Sequence, residues 1–182
     1  MKDSYLKISW YYLLKGNIDK YKAYTGLCKV RGQMISEKDK VAFNNASENH
    51  APEICLLKAR LYFDGGYYDK ALSSLTEKKL DDIKLLNDKV EYLYRMGMIQ
   101  QSLKNDDQAL VFFNSTISKG KELTTYYAAN SALQMGLIYE RKRNYSKAEQ
   151  YFNMSMKMKN EEYRASIESK AKAGIKRVSA KH

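Results

Sequence analysis

Four short polar turns recur along the chain, and each is followed by a run whose apolar residues have helical spacing. The last residues of these blocks lie 50, 38 and 39 positions apart. Self-similarity at periods of about 20 to 50 residues indicates stacked units that cannot bury their apolar faces alone. The sequence therefore predicts a helical repeat array. The four blocks are Gly16-Asn17-Ile18-Asp19-Lys20-Tyr21, Gly66-Tyr67-Tyr68-Asp69-Lys70-Ala71, Lys104-Asn105-Asp106-Asp107-Gln108-Ala109 and Arg143-Asn144-Tyr145-Ser146-Lys147-Ala148.

The composition agrees with an all-helical chain. One proline and nine glycines in 182 residues favour long helices over a turn-rich β architecture. No stretch reaches the roughly 18 consecutive apolar residues that a membrane span needs, and the N-terminal residues do not resemble a secretion signal. We therefore expect no transmembrane segment and a cytoplasmic location.

Each block is preceded by two residues at fixed offsets. A small residue stands twelve positions before the block end and, in three of the four blocks, a tyrosine stands nine before it. Because these positions are three apart, they share one helix face, which we expect to lie where helices meet. The small residues are Ser9, Ala59, Gly97 and Gly136; the second set is Tyr12, Tyr62, Gln100 and Tyr139. After the block ends, Leu75, Phe113 and Phe152 are predicted buried anchors, with Thr25 as a weaker counterpart.

These helix, turn, helix units resemble tetratricopeptide repeats over roughly residues 4–31 and 53–160. The strongest copy, 132–152, is similar to the C-terminal repeats of many bacterial tetratricopeptide proteins. The resemblance implies an all-α fold in which antiparallel helix pairs stack into a right-handed superhelix with a C-terminal capping helix. The predicted single solenoid, 1–182, has units at about 4–32, 53–80, 86–120 and 124–159, a linker at 33–52 and a capping helix at 161–178.

The chain also departs from the family pattern. The spacings of 38 and 39 exceed the usual repeat of about 34 residues. We interpret 33–50 as a polar connection with a short helix around 38–46. Pro52 is suited to the start of the helix that follows, and Asn160 is a candidate cap for the closing helix.

The sequence predicts no catalysis, cofactor or metal. It contains neither a glycine-rich phosphate loop after a predicted strand nor a His-Glu-x-x-His pair. Its two histidines, His50 and His182, fall in the predicted linker and at the last position. Cys28 and Cys55 are 27 residues apart without a second pair, so we expect two small buried apolar residues.

The net charge of +11 is concentrated towards the two ends of the sequence. Lysine and arginine outnumber aspartate and glutamate by 9 to 5 in residues 1–50 and by 10 to 4 in 143–182. Solvated helix faces account for this excess. A basic surface for nucleic acid, membrane or an acidic peptide remains open as an alternative, although the predominance of lysine disfavours nucleic acid.

The family resemblance implies a protein-binding scaffold whose concave groove is lined by the first helix of each pair. A largely apolar groove suits a helical or extended peptide segment and disfavours a Lys/Asn carboxylate clamp. We expect Trp10 and Tyr94 to be the strongest contacts. The predicted peptide-binding residues are Trp10, Leu13, Arg60, Phe63, Tyr94, Met98, Leu137 and Arg141, with Leu6, Leu56, Gln101 and Leu133 on the same face.

Two other interpretations remain open for this face. The same residues could instead pack on neighbouring helices or on 33–50. Alternatively, the aromatic N-terminal helix, with Tyr5, Trp10, Tyr11 and Tyr12, could form a homodimer. A peptide-binding adaptor is the preferred prediction.

Overall fold

The computed structural model describes residues 1–48 and 50–181, and every regular element in them is a helix. A 3-10 turn, Leu80–Asp82, precedes the sixth α-helix. Adjacent helices pack in pairs, among them α1 with α2, α6 with α7 and α8 with α9, which confirms the predicted all-α fold of paired helices. The α-helices are α1 (Lys2–Leu14), α2 (Ile18–Val30), α3 (Glu37–Ser47), α4 (Ile54–Asp64), α5 (Tyr68–Thr76), α6 (Leu86–Ser102), α7 (Asp106–Gly120), α8 (Tyr127–Arg141), α9 (Tyr145–Lys157) and α10 (Arg164–Ser179).

The chain divides into two compact units, residues 1–57 and 58–182, with the boundary inside α4. The first unit contains α1 to α3, and the second contains α5 to α10. In the second unit, α6 packs on α7, and α8 packs on both α7 and α9. The continuity of a single solenoid across the two units stays a prediction.

All four polar turns begin with a residue in the left-handed backbone region. Gly16, Gly66, Lys104 and Arg143 have φ angles of 71°, 80°, 67° and 58°. In each turn this residue donates its N–H to the carbonyl three positions earlier, and the next residue donates to the carbonyl five positions earlier. This is the Schellman arrangement, which satisfies the last carbonyls of a helix. The repeat is therefore present in the backbone as well as in the sequence.

Two of the predicted small residues, Gly97 and Gly136, lie at helix interfaces opposite predicted anchors. A Cβ added to Gly97 would stand 2.6 Å from the ring of Phe113, and one added to Gly136 would stand 2.5 Å from the ring of Phe152. Both rings, like Leu75, are completely buried. The missing side chains thus allow each ring to lie directly on the backbone of its partner helix. The buried small residues are Ser9, Ala59, Gly97 and Gly136.

One set of aromatic and cationic side chains occurs in both the α1–α2 and α8–α9 pairs. Tyr12 stacks on Tyr24 with ring centroids 5.4 Å apart, and the Lys20 ammonium lies 5.0 Å from the Tyr12 centroid. The pair α1–α2 is therefore built like a repeat although its sequence is the weaker copy. The corresponding set, with distances of 5.4 and 5.2 Å, is Tyr139, Tyr151 and Lys147.

The segment 33–52 does more than connect two helices. Its helix α3 agrees with the short helix predicted at 38–46, but Val41, Ala42 and Ala46 are buried in the first unit. A capping box between Ser36 and Asp39 starts this helix. The segment is therefore not only the polar connection predicted from the sequence, because these three apolar residues of α3 are part of the hydrophobic core of the first unit.

Lys2 closes the C-terminal end of α2. Its ammonium donates to the carbonyls of Cys28 at 2.8 Å, Lys29 at 2.9 Å and Arg31 at 3.2 Å, as a cation suits a helix C-terminus. The Cys28 thiol donates to the carbonyl of Lys2 at 3.3 Å, and burial raises the pKa of this thiol. Cys28 and Cys55 are both buried, as predicted.

The closing helix α10 begins later than the predicted cap. Its N-cap residue is Tyr163, in the left-handed region with a φ of 52°. The prediction that Asn160 caps the helix is wrong, because its buried side chain donates to the carbonyl of Glu162 at 2.8 Å and so holds the preceding turn. α10 packs on α9 and α8, and Ile167 and Ala171 are among its buried residues.

The left-handed turns give a direct stability prediction. Lys104→Gly should raise the free energy of unfolding by about 1 kcal/mol. A residue with a side chain pays roughly 1–2 kcal/mol in the left-handed backbone conformation, and glycine removes this strain. The greater freedom of glycine in the unfolded chain offsets part of that stabilisation. Gly66→Lys should lower it, since a Cβ at Gly66 meets nothing within 4 Å and only backbone strain is added. Urea unfolding measures both; a loss of stability in Lys104→Gly would contradict the assignment.

Candidate functional site

In the first unit, the predicted groove residues are covered by the chain itself. Trp10 and Leu13 are only 5% and 6% exposed. They share a core cluster with Ala42 and Ala46 of α3. In the first unit, Trp10 and Leu13 therefore pack on a helix of the segment 33–50, which was one of the alternatives predicted from the sequence. Contact between these two residues and a partner would require α3 to move.

In the second unit, several predicted residues remain accessible. Arg60, Phe63, Met98 and Leu137 are half-buried, whereas the side chain of Arg141 is 51% exposed. Phe63 lies with its ring centroid 5.3 Å from that of Tyr68. Met98 packs against a buried apolar cluster that contains Phe113 and Met135, and Leu137 packs against one that contains Phe152 and Ile167. Arg141 donates to the Asp106 carboxylate at 2.8 Å.

Tyr94 is a buried part of an aromatic cluster rather than a surface residue. Its ring centroid lies 5.5 Å from that of Tyr126 and 5.1 Å from that of Tyr127. The Asn130 side chain donates to the Tyr94 hydroxyl at 2.6 Å, which joins α6 to α8. Tyr126 also contacts Tyr163, with centroids 5.1 Å apart. Four tyrosines therefore connect the middle of α6 with the N-terminal ends of α8 and α10.

A buried ion pair lies against this aromatic cluster. The guanidinium of Arg95 donates from both Nε and Nη2 to one oxygen of Glu91, with 2.6 Å between Nε and that oxygen. The two side chains are 7% and 19% exposed. The Tyr127 hydroxyl donates to the same carboxylate, and the positive charge of Arg60 acts on it. We call Arg60, Glu91, Arg95 and the four tyrosines the tyrosine–arginine cluster.

Burial and charge hold the cluster in one protonation state. Burial alone would raise the Glu91 pKa, but the charges of Arg95 and Arg60 and the hydrogen bonds outweigh it, so the pKa is lowered. Burial would lower the Arg95 pKa, but Glu91 reverses this effect and raises it. Burial raises the pKa of Tyr94, Tyr126 and Tyr127. At neutral pH these groups are therefore a carboxylate, a guanidinium and protonated hydroxyls, which suits binding and positioning rather than proton transfer.

Sequence reasoning found only part of this cluster. It predicted Arg60 and Tyr94, which the structure brings together, but not Glu91, Arg95, Tyr126 or Tyr127. The spacing of Glu91 and Arg95 is a usable signal, since i,i+4 acid–base pairs meet on a helix. The adjacent tyrosines had no comparable signal, because their partners come from another helix.

A comparison with known families agrees with this geometry. Residues 129–162, which cover most of α8 and all of α9, match the family profile described as "Tetratricopeptide repeat". No curated protein and no solved structure matches the chain. Residues 129–162 are thus similar to a tetratricopeptide repeat, and they lie in an all-helical fold whose adjacent helices pack in pairs. Such repeats are in general non-catalytic modules for protein–protein interaction.

Among residues 1–48 and 50–181, no group of three or more His, Cys, Asp and Glu side chains is arranged to hold a metal ion. None of the helices in the same residues is long and apolar enough to cross a membrane.

The buried ion pair predicts a large effect of Glu91→Gln. Removing the carboxylate leaves Arg95 buried without its counter-charge, which should cost roughly 3 kcal/mol of unfolding free energy. The matched control is Glu168→Gln, which breaks the solvent-exposed i,i+4 pair with Arg164 and should cost no more than about 0.5 kcal/mol. Urea unfolding at neutral pH measures both variants, and equal losses would contradict the buried role.

The same comparison has a defined pH dependence. Because the Glu91 pKa is lowered on folding, its contribution to stability is fully present above the ordinary glutamate pKa of about 4.3 and is lost as the pH falls through the lowered value. The stability difference between the wild type and Glu91→Gln should therefore narrow below about pH 4. A difference that stays constant to lower pH would contradict this assignment.

Proposed function

We propose that the second unit binds a helical or extended segment of another protein along its first helices, α4, α6 and α8. The observation that carries the proposal is the tetratricopeptide repeat at 129–162, because this family is used for protein–protein interaction. The proposed contact residues are Arg60, Phe63, Met98, Leu137 and Arg141.

The chemistry of these residues supports a mixed contact. Phe63, Met98 and Leu137 are half-buried, so each offers an apolar surface already held by its neighbours. Methionine adapts to irregular partner shapes. Arg60 and Arg141 add positively charged groups to two of the same helices, α4 and α8. A peptide with apolar side chains one helical turn apart and acidic residues beside them has matching chemistry.

Tyr94 takes a positioning role in this proposal. Its ring is buried and its hydroxyl accepts from Asn130, so it holds α6 and α8 in register beneath the binding face. Trp10 and Leu13 act in the same way in the first unit, as core residues beneath α3. The predicted hot spots therefore move from Trp10 and Tyr94 to Phe63 and Met98.

A peptide selected from a phage-displayed random library on the full chain tests the proposal. Met98→Glu should weaken its binding by about thirtyfold, the effect of losing an anchor worth about 2 kcal/mol. Leu137→Ala, a milder change, should weaken it by at least about threefold. The control is Val111→Glu on α7, where the side chain is 60% exposed and off the proposed face.

Circular dichroism confirms the fold of each variant before binding is measured by fluorescence anisotropy. Binding that is unchanged in Met98→Glu and Leu137→Ala, or weakened equally in Val111→Glu, would contradict the proposed face.

Self-association is the second candidate function. Ile8, Tyr11 and Leu14 of α1, with Ile18 at the start of α2, are exposed apolar side chains in the first unit, and such patches favour contact with another chain. This homodimer would use Tyr11 rather than the buried Trp10. A nucleic-acid or membrane surface is supported by net charge alone. The non-catalytic role and the cytoplasmic location remain predictions.

A further inference from the structure

A cavity of about 400 Å³, which we call the α2 cavity, opens along one face of α2 in the first unit. Its size lies within the range of about 300–1,000 Å³ that is usual for small-molecule sites. The α2 residues that line it recur every three or four positions and therefore form a single helix face. These residues are Ile18, Tyr21, Lys22, Thr25, Gly26 and Lys29. The opposite wall, at the end of α3 and just after it, consists of Ala46, Glu48, His50 and Ala51.

The middle of the α2 cavity is open because its residues there are small. A Cβ added to Gly26 would meet nothing within 4 Å. At Gly97 and Gly136, in contrast, an added Cβ would meet a phenylalanine ring of the chain itself. Ala46, on the other wall, is completely buried and adds only a methyl group. The space beside Gly26 is therefore accessible to a ligand.

The charged groups lie at different positions along the α2 cavity. The Cys28 thiol donates to the Ala42 carbonyl at 3.5 Å. Burial and the negative charge of Glu48 raise the pKa of the Tyr21 hydroxyl. These two contacts, 28 with 42 and 21 with 48, show that α3 and the residues after it run antiparallel to α2. Lys29 lies eight residues after Tyr21, about 12 Å along the helix axis, and so at the end away from Glu48.

The positive charges of the α2 cavity are not compensated by the chain. Lys22 and Lys29 are exposed, and neither forms an ion pair within the part of the chain that the structure describes. The Glu48 carboxylate, in contrast, lies 3.6 Å from Nε2 of His50. An anionic group beside the two lysines therefore gains attraction without breaking an ion pair of the protein.

We propose that the α2 cavity binds a small amphipathic carboxylate. The carboxylate lies beside Lys22 and Lys29, and the apolar body lies over Gly26 and Ala46. Ile18, whose side chain is 46% exposed, extends this apolar surface. The site lies entirely in the first unit, so it does not depend on the proposed face on α4, α6 and α8.

The volume of the α2 cavity favours a small molecule over a docked helix. Two turns of α-helix are about 11 Å long and 10–12 Å wide and would fill roughly 1,000 Å³, more than twice the volume of the cavity. A glutamate in an extended peptide presents the same carboxylate from a protein source. The experiment therefore compares a free carboxylate with such a peptide.

The test uses two fluorescent probes with the full chain: anilinonaphthalene sulfonate, whose anionic group stands in for the carboxylate, and the uncharged phenylnaphthylamine. Lys22→Gln/Lys29→Gln should weaken binding of the sulfonate at least about fivefold and binding of the uncharged probe by less than about twofold. The control Lys79→Gln/Lys84→Gln, which removes two other exposed lysines, should change either by less than about twofold. Gly26→Gln should weaken both at least about fivefold, because its side chain occupies the cavity.

Two further measurements test the ligand class and the fold. Octanoate should displace the sulfonate at a concentration at least about threefold below that of octanol, which has the same chain length without the charge. Gly26→Gln should be at least as stable as the wild type in urea unfolding, since its Cβ meets nothing within 4 Å and glutamine favours a helix more than glycine does.

Three outcomes would overturn the proposal. Equal weakening by the two lysine pairs, or unchanged binding to a folded Gly26→Gln, would place the probes outside the α2 cavity. Displacement by octanol as effective as that by octanoate would exclude a carboxylate ligand. Displacement by the peptide acetyl-Leu-Glu-Leu amide at a lower concentration than octanoate would assign the cavity to an extended peptide instead of a free small molecule.

Discussion

The contact of one phenylalanine ring with two glycines is the constraint on which the end of the second unit depends. Phe152 of α9 lies between Gly136 of α8 and Gly174 of α10, and a Cβ at either glycine would stand 2.5 or 2.6 Å from the ring. Because the ring is completely buried, it cannot retreat from one helix without pressing on the other. A large buried side chain contributes several kcal/mol, and this one joins three helices at once. Gly97 and Phe113 repeat the contact between α6 and α7.

This packing determines what the functional surfaces contain. Ring-on-backbone contacts set the positions of α6 and α8, so that Asn130 reaches the Tyr94 hydroxyl. The buried pair of Glu91 and Arg95 then lies against the tyrosines, with its charges compensated inside the protein. On α4, α6 and α8, the side chains of Phe63, Met98 and Leu137 remain half-buried. The same contact at Gly174 holds α10 and leaves its basic face towards solvent.

Sequence reasoning succeeded where the repeat imposes residue type at a fixed spacing. The small residues, the anchors and the polar turns are local requirements of helix pairing, so they could be predicted from offsets alone. Packing on 33–50 was one open alternative, but the residues of α3 that supply it could not be singled out, because the buried Val41, Ala42 and Ala46 lie within a polar stretch. The sequence also could not decide whether Trp10 is buried or exposed. An apolar helix face can be covered either by a partner protein or by another segment of the same chain. The tyrosine–arginine cluster combines residues from α4, α6 and the N-terminal ends of α8 and α10. Spacing within one helix predicts the pair of Glu91 and Arg95 but not its contact with tyrosines from other helices.

The most direct test of this account is the stability of Gly136→Ala, measured by urea unfolding beside Gly26→Ala. Alanine at Gly26, in α2, meets nothing within 4 Å and should stabilise by up to about 1 kcal/mol through helix propensity. At Gly136 the overpacking of Phe152 should outweigh that gain and destabilise by roughly 1–3 kcal/mol, and Phe152→Leu should remove most of the penalty in a double-mutant cycle. A Gly136→Ala protein as stable as the wild type, or a penalty unchanged by Phe152→Leu, would contradict the central role of this contact.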